Sequence, residues 1–338
     1  MMLTYQFRIK DSSRKTKLKN LASKVNYVWN FLNETSALAW KRDRKWLSEF
    51  DLNNLTSGSS KLLGLHSHSI QLIASEFVSR RNKAKRSKLN WRSAKRKLGW
   101  IPIKSSSIKI EGDTITFQKT KYRFWKSREI EGKIKTGSFS QNNKGQWFIN
   151  LQCEIENEKQ TESDLSVGID LGLKTIATLS DGNKIENPRI LSQYADKLAM
   201  AQRAHKKKLV TQIQNKIKNV RKDFLHKETT RLAKRYKAIF VGDVSSTRLA
   251  KTKMAKSVND AGWGMFKSML GYKAIRFGID FQIVNEKYST VTCSVCFERT
   301  GPSGLRALGV REFVCKSCGI THDRDINAAT NILLGLGR

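Results

Sequence analysis

The C-terminal half of this 338-residue chain reads as an α/β fold, preceded by a small β-barrel or sandwich with a helical unit after its first strand. Three observations carry that reading. From about residue 100 to 157, short alternating strands (SSIKIEG, DTITFQK, GKIKTGSFSQ, QWFINLQCEIE) are separated by the turn signals EGD and NNKG. Beyond residue 165, strand-like runs alternate with helical ones, the rhythm of an α/β layer. Near the C-terminus, two CxxC pairs set a compact module into that second half.

In chain order, residues 2–10 alternate like a strand. Residues 13–50 are expected to be helical, because Leu18, Leu21, Val25, Val28, Trp29 and Leu32 fall at helical spacing. LTSGSS at 55–60 reads as a loop and 65–90 as a second helical stretch. KQTESDLS at 159–166 is polar and marks a domain boundary. SVGIDLGLKTIATLSDGNKI reads as a hairpin that starts from a buried strand, 190–236 as a long basic helical region, and KAIFVGDV as a short buried strand. An amphipathic helix (DAGWGMFKSMLGYKAIRFG), the strand IDFQIVNE, the cysteine segment and a last helix at 326–335 complete the order.

Lys and Arg total 64 against 29 acidic residues, a formal charge of +35. A polyanion has to neutralise that excess, and nucleic acid is the natural one. A single run such as KKKLVTQIQNKIKNVRK reads as a solvated helix face; here nearly every segment is basic. No apolar run reaches the length of a spanning helix and no signal peptide is visible. The expectation is a cytoplasmic, nucleoid-associated protein that uses no membrane, a monomer by preference. Trp91, Trp100, Phe124 and Trp125 are interleaved with Lys and Arg, so they are candidates for stacking on bases as well as for the core.

Cys293 and Cys296 form one CxxC, and Cys315 and Cys318 form another 18 residues on. That spacing fits a four-thiolate structural zinc ribbon. The fifth cysteine, Cys153, sits in an apolar alternation and reads as a buried strand residue. Asp325 follows Cys318 by seven residues, in HDRDINAATNIL. An acidic, Asn/Ala-rich helix start directly after a ribbon points to a metal-dependent nuclease. Hydrolysing a phosphodiester with Mg²⁺ needs carboxylates that converge from different strands. Asp170, at the end of SVGID, is one candidate, with turn capping as its alternative. Asp325 is the second, able to cap the helix or face a metal, with Asp323 as its local competitor. Ala328 and Ala329 beside Asn327 would let the last helix approach the sheet closely.

Taken together, GIDLGLK, DFLHKETTRLAKRY, YSTVTCSVC, CKSCG and HDRDINAATNIL resemble the TnpB family of transposon-encoded RNA-guided nucleases, relatives of type V CRISPR effectors and Fanzor proteins. The likeness is strong over 165–338 and covers the rest in layout only. It implies a RuvC-like nuclease domain of RNase H fold at 165–290 and 319–338, with a zinc ribbon for target nucleic acid inserted at 291–318. It further implies a β-barrel wedge domain at 1–10 and 91–158, interrupted by a helical recognition domain at 11–90. Guide RNA, target double-stranded DNA with a short adjacent motif, structural Zn²⁺ and catalytic Mg²⁺ would be the partners, with sequence specificity supplied by base pairing.

The chain departs from the family pattern at one position. The glutamate usual in a VxxEDL-like run is replaced in IFVGDVSS, where the expected residue is Gly242. Asp243 is adjacent, but side chains alternate along a strand, so it should face away unless a bulge re-aims it. Glu286 ends the next strand, beside the one that holds Gly242, and Gly242 would leave room for its carboxylate. The third carboxylate is thus expected from Glu286, with Asp243 as the alternative and loss of cleavage as the remaining outcome. Lys174 is a candidate for the scissile phosphate and Arg311 for DNA, each with a plain surface or packing role beside it. His322 reads as a loop histidine, and His205 and His226 as residues of basic helices. SSTRLAKTKMAKSVND resembles a mobile lid. Competing functions are a guided DNA-binding protein without cleavage, a DNA transposase and a plain zinc-ribbon RNA-binding protein.

Overall fold

The computed structural model describes residues 1–338 apart from 11–13, 94–97, 157–162, 245–248, 250, 253, 305–306, 308 and 336–338. Two compact units divide the chain, Met1–Glu156 and Asn157–Arg338. No helix of the described residues is long and apolar enough to cross a membrane.

In the first unit, β1 (Met2–Arg8), β7 (Trp147–Glu154), β6 (Lys133–Gln141) and β2 (Trp100–Lys104) form an antiparallel sheet in that spatial order. A meander of β3 (Ile108–Glu111), β4 (Thr114–Phe117) and β5 (Thr120–Arg123) lies between β2 and β6 in sequence. A 3-10 turn at Ser105–Ser107 carries β2 into β3, and Ile9 bridges Phe124 just beyond β5, so sheet and meander are joined at both ends. Inward residues of both, including Phe7, Phe117, Phe124, Phe139 and Trp147, share one core. Cys153 of β7 is buried there too, and burial raises its thiol pKa. The sequence patterning missed β2 and β5. WIPIK buries Ile101, Pro102 and Ile103 in succession, and the proline is tolerated because β2 is the edge of its sheet.

Helix α1 (Lys15–Asp43) buries the six apolar residues whose spacing announced it. It ends seven residues earlier than expected, at a left-handed Arg44 with φ 53°. Ser48 and Asp51 then make a reciprocal capping box that starts α2 (Glu49–Leu55). The expected loop at 55–60 is cut short by α3 (Ser59–Leu63), and α4 (Ser67–Ala84) follows. Two buried asparagines of α1 fix the strap after α4. Asn33 exchanges two 2.8 Å hydrogen bonds with the backbone of Leu89, and Asn30 does the same with Arg92 at 2.7 and 2.8 Å.

In the second unit, β8 (Ser166–Leu171), β9 (Thr175–Leu179) and β10 (Lys184–Glu186) form an antiparallel meander rather than a two-stranded hairpin. β11 (Ala238–Gly242) and β12 (Asp280–Val284) run parallel to β8, giving the order β10-β9-β8-β11-β12. The basic region between β10 and β11 is three helices, α5 (Ile190–Gln193), α6 (Ala195–Arg203) and α7 (Lys207–Arg235). The break before α7 carries His205 at φ 51°, so His205 lies in a turn rather than a helix. α8 (Ala255–Ala261) and α9 (Trp263–Phe277) connect β11 to β12. Residues 245–248, 250 and 253 of the expected lid lie outside the described residues, and its end is α8. Val167, Ile169 and Val241 pack into a core with Leu225 and Leu232 of α7 and Phe266 and Leu270 of α9.

The strands β13 (Glu312–Val314) and β14 (Thr321–Asp323) pair around the second CxxC. The last helix, α10 (Arg324–Leu334), packs on β8 with Ala328 and Ala329 fully buried. Gly168 makes that approach possible. A Cβ there would collide with the Ala329 carbonyl and lie 2.6 Å from the Leu333 nitrogen.

Candidate functional site

The site begins with strand parity. Val167, Ile169 and Val241 point into the core, so Gly168, Asp170 and Gly242 face α10. Val241 pairs with Ile169, which sets Gly242 level with Asp170 at the ends of two parallel strands. Whatever side chain occupied position 242 would therefore neighbour Asp170.

Glu286 fills that space. It lies two residues past the end of β12, not on the strand itself, and Gly242 pairs with Val284. A Cβ on Gly242 would lie 2.6 Å from Glu286 Oε2 and 3.4 Å from its Cβ. Burial raises the pKa of Glu286, and the neighbouring Asp243 carboxylate adds to the rise, while Lys267 and the Val244 N–H oppose it.

Asp325 enters from α10. Asp323 takes the capping role, its Oδ1 accepting from the N–H groups of Asp325 (2.9 Å) and Ile326 (3.1 Å), and its Oδ2 accepting from Lys184 Nζ at 2.8 Å. That leaves the Asp325 carboxylate out of the cap, with Arg311 Nη1 3.2 Å from its Oδ2. Asp170 feels all of this. Burial raises its pKa to about 7, the charges of Glu286 and then Asp325 add to the rise, and Arg324 and the Leu171 N–H oppose it. Carboxylates that resist joint ionisation are a donor set suited to a hard divalent cation such as Mg²⁺.

Among the described residues, only the four cysteines form a group of three or more possible metal ligands with all donor atoms within 4.8 Å of one another. The sulfurs of Cys293 and Cys318 are 3.7 Å apart and those of Cys296 and Cys315 are 3.5 Å apart. Four thiolates about 2.3 Å from a tetrahedral Zn²⁺ stand about 3.8 Å from each other, so the set fits zinc. The two knuckles repeat one turn. In each, a left-handed residue (Phe297, φ 64°; Gly319, φ 74°) returns its N–H to the carbonyl of the first cysteine. Thr300 Oγ1 lies 3.1 Å from Cys315 Sγ and, ahead of the Cys318 N–H, lowers that thiol's pKa. His322 corrects the loop-histidine expectation. It is buried in β14 with Nε2 3.0 Å from Cys293 Sγ, the position of a group that steadies a ligand sulfur.

Ribbon and helix are stapled together. Asn327 Nδ2 donates to Ser289 O (3.3 Å) and Thr292 O (2.7 Å), and Asn331 Nδ2 donates to the same carbonyls at 2.7 and 2.6 Å. Asn327 Oδ1 accepts from the Ser294 N–H inside the first CxxC. The sequence reading did not assign either asparagine this role, although their i, i+4 spacing on one helix face was visible. Lys267 also went unnoticed, since its two backbone acceptors lie far from it in sequence.

The remaining candidates are scattered. Lys174 is exposed in the β8–β9 turn and lines a cleft of about 610 Å³ with Arg189, Lys256 and Asp260. In the first unit, Trp91 and Trp125 are exposed, with Lys10 Nζ 4.9 Å from the Trp125 ring centre. Trp100 is half-buried under the Arg92 guanidinium, and Phe124 is core. His226 of α7 faces Tyr272, with Nδ1 3.2 Å from the hydroxyl.

A mixed five-stranded sheet, with Asp170 and Glu286 neighbours at one end and a four-cysteine cluster after its last strand, defines an α/β protein with one candidate metal centre among the described residues. Two family models match: "Probable transposase" (OrfB_IS605) over residues 150–253 and "Cas12f1-like, TNB domain" over 263–332. A Streptomyces pristinaespiralis protein named "Putative RNA-guided DNA endonuclease" is 30% identical over 340 residues, spanning 91% of this chain and 83% of that one. Escherichia coli K12 InsQ, which carries the same description, is 29% identical over 240 residues, covering 62% of this chain and 59% of its own. A Cas12f1–sgRNA–target DNA complex aligns over 98% of the chain at 14% identity and a TM-score of 0.39. The chain belongs to the TnpB family.

Proposed function

We propose that the protein is an RNA-guided, Mg²⁺-dependent DNA endonuclease. Its nuclease domain is RuvC-like, of RNase H fold, at 165–290 and 319–338, with the zinc ribbon inserted between these segments. The first unit is a wedge barrel (1–10 and 91–158) around a helical recognition domain (11–90). The observation that carries the nuclease reading is the Glu286 carboxylate lying over Gly242, level with Asp170. The sheet order, with three parallel strands flanked by an antiparallel pair, supports the fold assignment. The formal charge of +35 suits a protein that holds both a guide RNA and a heteroduplex.

Asp170, Glu286 and Asp325 would hold Mg²⁺, which when bound stabilises charge on the attacking and leaving oxygens. The protein's own part is to supply these carboxylates from β8, the β12 exit and α10. It also keeps Asp323 occupied in the cap, so that Asp325 is available. Lys174, Arg311, Trp91, Trp100 and Trp125 are the proposed nucleic-acid contacts.

The test is direct. RNA that co-purifies with the protein is sequenced, and the ribonucleoprotein is incubated with matched duplex with and without Mg²⁺. Cutting that needs Mg²⁺ and disappears in D170A, with duplex binding retained, is the expected result. Binding without cutting would make it a guided DNA-binding protein instead.

A further inference from the structure

The Glu286 carboxylate has no strand under it. It follows β12 by two residues, in a segment that ladder hydrogen bonds do not hold. A metal ligand in that position needs its orientation fixed from elsewhere. Four contacts converge on it. Gly242 leaves the space in which the carboxylate lies. Asp243 sends its own N–H to Val284 O at 2.8 Å, while its Oδ1 accepts the backbone N–H of Glu286 at 3.2 Å. The Val244 N–H donates to the Glu286 carboxylate. Lys267 reaches across from α9, its Nζ 3.0 Å from Val244 O and 3.5 Å from Gly242 O, and its charge acts on both Glu286 and Asp243.

Resting on the role proposed above for Glu286, we infer that Asp243 and Lys267 are positioning residues that build a seat for a carboxylate arriving from outside the sheet. Asp243 fixes the backbone of Glu286 through its side-chain oxygen. Lys267 holds the β11 exit so that the Val244 N–H stays aimed at the carboxylate. Position 243 thereby keeps an acidic residue whose work is to accept one N–H, not to bind metal. An amide oxygen accepts the same N–H, which separates the two roles chemically.

Full-length protein with its co-purified RNA is titrated with Mn²⁺, followed by the EPR signal of free Mn²⁺, for the parent, D243N, D243A, K267M and E286Q. Thermal unfolding of each variant is recorded alongside. D243A and K267M are expected to weaken Mn²⁺ binding by roughly 10- to 100-fold, the usual cost of losing a group that orients a ligand. D243N should stay within about 3-fold of the parent, because its oxygen replaces the lost acceptor. D243N falling as far as D243A would overturn the inference and make Asp243 a ligand. D243A and K267M binding Mn²⁺ like the parent would overturn it as well. E286Q binding Mn²⁺ like the parent would instead remove the Glu286 assignment, and the seat with it.

Discussion

Arg311 Nη1 stands 3.2 Å from Asp325 Oδ2, so a guanidinium next to the ribbon strand β13 neutralises the carboxylate that α10 presents. The pair is only partly buried, with side chains 53% and 29% exposed, which limits its strength to about 0.2–1 kcal/mol. R311M should therefore release Asp325 and tighten Mn²⁺ binding by a factor of about 5 at most. Weaker binding in R311M would mean that the arginine supports the site and does not compete with its cation.

The Glu286 assignment predicts a swap. E286Q alone should reduce cleavage by at least about a hundredfold while duplex binding persists. Returning the carboxylate to the strand, in G242E combined with E286A, should recover part of the lost rate, because position 242 is level with Asp170. A swap variant as inactive as E286Q, but equally well folded by thermal melt, would count against interchangeable positions.

Asp170 gives a pH signature with a definite sign. Its pKa is raised from the ordinary carboxylate value to about 7 by burial and by Glu286 and Asp325. In metal-free protein the folded state holds this proton more tightly than the unfolded chain does. Stability from this group is therefore full below about pH 4 and is lost as pH rises through about 7. Thermal midpoints of metal-free parent protein should fall relative to D170N over that window, and Mg²⁺ should reverse the fall above pH 7. Metal binding near neutrality should release a proton, visible as a buffer-dependent calorimetric heat.

Zinc should matter to the distant carboxylate. C318S should lose stoichiometric zinc, and stripping the ribbon should also weaken Mn²⁺ binding at the carboxylates. The path is short: Cys293 touches His322, His322 precedes the Asp323 cap, and Asn327 holds the first knuckle. Zinc loss that leaves Mn²⁺ affinity unchanged would show the two sites to be independent.

Gly168→Ala is expected to be among the most damaging single-methyl changes in the second unit. Its Cβ would meet the backbone of Ala329 and Leu333, which cannot rotate away as a side-chain tip can. Overpacking typically costs about 1–3 kcal/mol, and rigid backbone neighbours place this site at the upper end. Thermal unfolding and protease sensitivity of α10 would read it.

Much of this was legible in the sequence because it rests on periodicity. The buried face of α1, the strand SVGID and the cysteine pairs each carry local, repeating signals. The space at Gly242 was legible for a different reason: a glycine at an expected carboxylate position, followed by a spare glutamate one strand later. What could not be read depends on contacts far apart in the chain. Asp323 and Asp325 are two residues apart, and only the capping bonds say which one is spoken for. His322 looked like a loop residue because β14 is only three residues long and its partner β13 lies on the far side of the second knuckle. The Lys267 bonds to Gly242 and Val244 join a helix to a strand exit more than twenty residues earlier, which no spacing rule marks.

The asparagine staples have a consequence for how the ribbon can vary. Asn327 and Asn331 hold Ser289 and Thr292, closing a neck at the base of the excursion that runs from Glu286 to Asp325. Glu286 lies outside that neck, and Asp325 lies just inside it, two residues before Asn327. Chain added or removed beyond it, for example around the left-handed Gly304, changes the size of a closed loop without moving either end. Doubling such a loop costs only about 0.6 kcal/mol. Residues inserted at that point should therefore lengthen the segment while the asparagine bonds at its base stay in place.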